Sequence, residues 1–166
     1  MTTHASSPVR AGDRRVYVDA NIIVHALAGR EPTSTLLRDL IARSRRGEIT
    51  ILTSVVSLVE VAYLERADAE DAKRLDTFWK SGAVEIVQLG FNVANTAREL
   101  VREFKRRTDR LEPMDAIHVA SAHHAKASVL ITTDPDFDQV VQYGKTIVRR
   151  LRVQRVRQNP RCRRAA

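Results

Sequence analysis

The chain has one cysteine in 166 residues, Cys162, so no internal disulfide can form. Its place in a polar tail argues against a thiolate redox or metal role, and the scarcity suits a reducing cytoplasm. Six glycines are scattered singly, with no glycine-rich loop to cradle phosphates, which disfavours ATP or dinucleotide binding. No apolar run approaches the roughly 18 residues of a membrane span. The start Met1 to Pro8 lacks an apolar signal segment, so a soluble, unexported, cytoplasmic protein with no membrane partner is expected. Aromatics make up only 5%, which makes base stacking a secondary means of recognition. Internal repeats and low-complexity tracts are also missing.

What remains is enough for one compact domain, since 43% of the residues are hydrophobic. Apolar, β-branched strand signatures cover roughly 15–19, 49–53, 84–88, 128–132 and 145–149. Between them, Thr33 to Arg46, Ser54 to Arg66, Ala69 to Ser81, Phe91 to Arg106 and Pro113 to Ala127 read as helices, with Gly47 and Gly82 as helix ends. The alternation predicts an α/β fold with a mostly parallel sheet.

Four acids in short apolar contexts carry the chemistry. Asp19 closes the strand signature Val16-Tyr17-Val18, and Asp134 follows Val129-Leu130-Ile131-Thr132-Thr133 and precedes Pro135. Carboxyl ends of parallel strands are where ligands bind in open α/β sheets. Glu60 has Val56, Ser57, Tyr63 and Leu64 at helical spacing, which is unusual company for a solvated glutamate. Asp115 falls in the first turn of a helix that starts at Pro113. Each also has an ordinary explanation: an N-cap for Asp19, a solvated helix face for Glu60, dipole complementarity for Asp115, a turn for Asp134. Two carboxylates about 4 Å apart repel by about 4 kcal/mol at an effective dielectric of about 20, so four sharing a crevice need a cation. Oxygen-only ligands favour Mg²⁺ or Mn²⁺ over Zn²⁺, and such ions also contact phosphate.

The segments Val16 to Asn21, Ser54 to Glu60, Asp115 to Ala122 and Thr132 to Phe137, in that order, resemble PIN-domain ribonucleases, over about Arg14 to about Leu151. The small single-domain form is similar to VapC-type toxins of type II toxin-antitoxin systems. The resemblance implies a three-layer α/β/α sandwich and a metal-dependent endoribonuclease. It also implies that Asp19, Glu60, Asp115 and Asp134 ligate metal, with Asp136 as a fifth acid and Asn21 and Thr132 in support. Water activated by the ion would then attack the phosphorus, with no protein nucleophile. A cognate antitoxin covering the apolar helices near Ala62 to Trp79, with a basic side chain reaching the acids, and a homodimer are further implications.

The net charge of +8 is concentrated in residues 149–166, which hold eight Arg and no acid. Residues 14–151 are thus expected to form the domain, 1–13 a flexible lead and 152–166 a basic tail able to bind RNA phosphates, or simply a solvated end. Lys105, Arg106, Arg107 and Arg110 precede the Asp115 helix and are candidates for holding the RNA backbone. His118, His123 and His124 lack the four-residue spacing of a helical zinc pair and read as ordinary helix residues. Phe78 and Trp79 read as helix core or partner surface. Competing readings are a PIN ribonuclease of RNA processing without an antitoxin, and a non-catalytic RNA-binding PIN domain. A Rossmann-type metabolic enzyme is weakened by the missing glycine fingerprint.

Overall fold

Side-chain alternation along three strands sets the layers of the molecule. In the computed structural model, which describes residues 9, 12–62, 69–106 and 111–152, strand β1 (Arg15–Val18) sends Val16 and Val18 into one core and Tyr17 into another. Strand β2 (Thr50–Ser54) divides Ile51 from Leu52 in the same way, and β4 (Val129–Thr132) divides Val129 and Ile131 from Leu130. A strand buried on both faces reads as a continuous apolar run, which is why all three were legible as sequence.

The sheet has six strands in the order β3-β2-β1-β4-β6-β5, with β3 at Val84–Val87, β5 at Gln142–Tyr143 and β6 at Thr146–Arg150. All neighbours are parallel except β5, which pairs antiparallel with β6. The five parallel strands are those expected. The two-residue β5 was not expected, because it owes its pairing to β6 rather than to its own composition.

Helices α1 (Ala20–Leu27), α2 (Thr33–Arg45) and α4 (Ala69–Lys80) supply the core with Ile22, Leu37, Leu40 and Phe78 on one face. Helices α5 (Phe91–Arg106) and α6 (Pro113–His124) cover the other. The α5 stripe Val93, Ala97, Leu100 and Phe104 follows the 3.6-residue period, so one side is buried and the charged side faces water. The result is a three-layer α/β/α sandwich.

Two local outcomes differ from expectation. Residues Ala20–Leu27 form a helix that was not among those expected, with Ala20, Ile22, Ile23 and Ala26 buried. The helix expected from Ser54 begins at Val56 instead. Ser54 closes β2, and its hydroxyl accepts the Val56 N–H at 3.4 Å. Helix α3 (Val56–Glu60) is short, and the rest of that expected helix, residues 63–66, lies outside the described residues. Gly47 and Gly82 follow α2 and α4 at φ 72° and 67°, the left-handed backbone at which helices commonly stop. Trp79 is half-buried and packs edge-on to Phe78 at 4.9 Å. Among the described residues no helix is long and apolar enough to cross a membrane.

Ile131 lies fully buried in the central strand pair β1/β4. Ile131→Ala is expected to cost about 2–5 kcal/mol in urea unfolding, the range for deleting a large buried aliphatic side chain. A loss under 1 kcal/mol would contradict the two-sided core.

Candidate functional site

The chain leaves β1 towards β2 on one side and later returns to pair β4 on the other, so the crevice above β1 and β4 is a topological switch point. Asp19 sits at the end of β1, its N–H bonded to the Ile131 carbonyl at 3.2 Å. Its Oδ1 accepts the Ile22 N–H at 3.0 Å as the N-cap of α1. Its Oδ2 accepts the Thr132 hydroxyl from the end of β4. The N-cap explanation is therefore correct but incomplete, because only one oxygen is used by the helix.

Thr132 in turn accepts the Asp134 N–H at 2.9 Å, so one hydroxyl links two acid-bearing backbones. Asp134 Oδ1 caps a 3-10 turn over Pro135–Gln139 by accepting the Asp136 N–H at 2.9 Å. Asn21 Nδ2 donates to Asp134 Oδ2 at 3.3 Å. One turn later on α1, His25 Nδ1 meets the Thr133 hydroxyl at 3.3 Å, so α1 holds the loop after β4 at two points. Burial and Arg30 lower the pKa of His25.

Asp115 projects from the first turn of α6, with Pro113 in that same turn. Desolvation raises its pKa from 3.8 to about 7. Asp134, Asp136 and Asp19 push it in the same direction, against an offset from His118 when that ring is charged. Asp19, only 2% exposed, is raised to about 6, again chiefly by desolvation, with Asp134 adding to it and His118, Thr132 and the Ile22 N–H opposing. Asp19, Asp115, Asp134 and Asp136 thus share one electrostatic neighbourhood. Glu60, at the end of α3, enters differently: its Oε2 meets His118 Nε2 at 2.8 Å, and His118 Nδ1 meets the Tyr17 hydroxyl at 2.7 Å.

His118 and Tyr17 are the residues that sequence reasoning missed. Both are almost completely buried. The available signal was a phenol inside an otherwise apolar two-faced strand, which must find a polar partner. His123 and His124 stay outside this network, packing on Tyr143 and bonding Thr96. Lys105 and Arg106 are exposed in the last turn of α5, while Arg107 and Arg110 lie outside the described residues.

Among the described residues no three His, Cys, Asp or Glu side chains close into a ready-made metal cage. The donor set nevertheless fits a hard divalent cation. It is all oxygen, and two of its carboxyls, those of Asp19 and Asp115, have their pKa values raised by burial and then by neighbouring carboxylates. Ions such as Mg²⁺ keep several waters and need only one or two carboxylates from protein. Asp19 and Asp115, steadied by Thr132 and Asn21 through Asp134, are the residues that would hold it.

A PIN-domain family model matches residues 16–142, which runs from β1 to the first residue of β5 and takes in every element of the acidic crevice. The chain belongs to the PIN-domain family. No curated protein matches it in sequence. Solved structures share the fold of this PIN domain at low identity. VapBC2 from Rickettsia felis, bound to a promoter DNA fragment, is 20% identical with TM-score 0.64, over 81% of this chain and 98% of that one. VapBC-5 from Mycobacterium tuberculosis is 19% identical with TM-score 0.58, over 82% and 98%. VapC20 from the same organism, a sarcin-ricin loop cleaving toxin, is 18% identical with TM-score 0.59, over 80% and 98%.

The raised acids of this PIN domain carry a sign for stability. A carboxyl that binds its proton more tightly folded than unfolded is without penalty below the unfolded pKa, and loses stability as pH rises through the folded one. For Asp19 that window runs from about 4 to about 6. With chelator present, Asp19→Asn should therefore gain on the parent chain by up to roughly 3 kcal/mol between pH 4 and pH 7 in urea unfolding. A difference that stays flat across that range would refute the buried-charge assignment.

Proposed function

We propose that this PIN domain is a divalent-cation-dependent endoribonuclease and the toxin of a toxin-antitoxin pair. The observation that carries the nuclease is the group of aspartates at the ends of β1 and β4 and the start of α6, two of them with pKa values raised chiefly by burial and further by neighbouring carboxylates. Two of the structural neighbours support the finer reading: VapC20 is described as a sarcin-ricin loop cleaving toxin, and VapBC-5 as a member of a family of toxin-antitoxin systems.

In this reading Asp19, Asp115, Asp134 and Glu60 form the negative wall of the crevice, with Asp136 at its rim. A bound Mg²⁺ or Mn²⁺ supplies charge stabilisation at the phosphate oxygens. Thr132 and Asn21 keep Asp19 and Asp134 at fixed angles. Lys105 and Arg106, with Arg107 and Arg110 of the next segment, draw the RNA backbone towards the acids, and the tail from residue 152 adds non-specific phosphate affinity. Residues 14–151 make up the functional domain, and a homodimer is its working form.

The antitoxin is assigned to the face made by α1, α2 and α4. An open groove of about 410 Å³ runs there between Leu27, Leu37, Ile41 and Phe78, edged by Arg38 and Arg74. An apolar floor with a basic rim suits an amphipathic acidic segment. The antitoxin surface expected from Ala62 to Trp79 coincides with this groove at α4, while residues 63–68 lie outside the described ones.

The test is cleavage of total RNA by the purified chain with Mg²⁺ or Mn²⁺, with EDTA, and with Asp115→Ala. Cleavage should require the ion and fall by on the order of 100-fold in the variant, as when one charge-stabilising group is lost. Retained RNA binding with no ion-dependent cutting would instead support a binding module, and equal activity in both proteins would expose a contaminant.

A further inference from the structure

We propose that His118 is a positioning residue for Glu60, and that Tyr17 fixes the imidazole in the tautomer that carries its proton on Nε2. The proposal rests on the reading of Glu60 as part of the cation site. Its geometry is a buried relay of three side chains from three elements: Tyr17 on β1, His118 on α6 and Glu60 on α3, joined at 2.7 and 2.8 Å.

The direction of the protons follows from the two ends of the relay. A carboxylate oxygen can only accept, so the bond between Glu60 Oε2 and His118 Nε2 places a hydrogen on Nε2. A neutral imidazole that carries its hydrogen at Nε2 accepts at Nδ1, and the Tyr17 hydroxyl donates to it there.

The consequence for the site is specific. Glu60 is only partly buried and sits on a five-residue helix, and among the described residues no other hydrogen bond anchors its carboxylate. The Nε2–H bond holds one oxygen and leaves Oε1 to bind whatever occupies the crevice. A neutral donor orients Glu60 without cancelling its charge, so the negative wall keeps its full strength. This is the arrangement in which an outer hydrogen bond tunes a ligand, and loss of such partners typically costs 10-fold to 100-fold in metal affinity.

The experiment uses the full chain and Mn²⁺ itself, titrated at pH 8 and read by electron paramagnetic resonance. His118→Asn places an amide near Nδ1, keeping a partner for Tyr17 and none for Glu60. His118→Gln places a donor near Nε2. Mn²⁺ affinity should drop about 10-fold or more in His118→Asn and return to within a few-fold of the parent in His118→Gln. Equal affinities in the two variants, whether both intact or both lost, would overturn the positioning role, since a purely structural histidine would not distinguish them. Nitrogen NMR of ¹⁵N-histidine-labelled parent protein with Mg²⁺ at pH 8 tests the relay without any variant: a proton on Nε2 supports it and a proton on Nδ1 refutes it. Failure of the parent chain to bind Mn²⁺ would sink the cation site, and the tautomer would still decide the relay.

Discussion

Burial of carboxylates that the backbone brings together is the constraint on which the rest of this molecule turns. Asp19 is delivered by β1, Asp134 by the segment after β4 and Asp115 by the first turn of α6. Asp19 is tied to the start of α1 through Ile22, and to β4 through Thr132. The fold stores unfavourable electrostatic energy at one point and surrounds it with a core large enough to tolerate the cost. Two-sided burial of β1, β2 and β4 supplies that core.

Polar atoms around the crevice are arranged to fix directions rather than to cancel charge. Thr132 bridges Asp19 and Asp134, Asn21 reaches Asp134 from α1, and His118 meets Glu60 from α6. No arginine or lysine forms an ion pair with Asp19, Asp115 or Asp134 in the described residues, whereas Asp13, Asp76 and Asp138 elsewhere each have one. Acids left to hydroxyl, amide and backbone donors keep their charge available for an external cation.

Much of this was legible before any coordinates. Five strands stood out through their apolar, β-branched residues, three of them buried on both faces, and Gly47, Gly82 and Pro113 marked helix limits through backbone rules that act locally. The four acids stood out because each interrupts an apolar stretch. What stayed hidden depends on contacts distant in sequence. Tyr17 and His118 are 101 residues apart, and His118 and Glu60 are 58 apart, so no local pattern could show that a histidine among alanines and valines is the link between a strand and a carboxylate. Helix α1 was missed for a different reason: at eight residues it spans only about two turns, too few for a helical period to stand out beside the strand signature it follows.

The central claim is that protons now occupy, in part, the place of a cation among Asp19 and Asp115. Calorimetric titration of Mn²⁺ into the chain at pH 6.5 and pH 8.5, each in two buffers of different ionisation enthalpy, measures the protons displaced on binding. With those carboxyls raised to about 6 and about 7, binding should release protons at pH 6.5 and almost none at pH 8.5. Heats independent of buffer at both values, or no binding at either, would contradict the account.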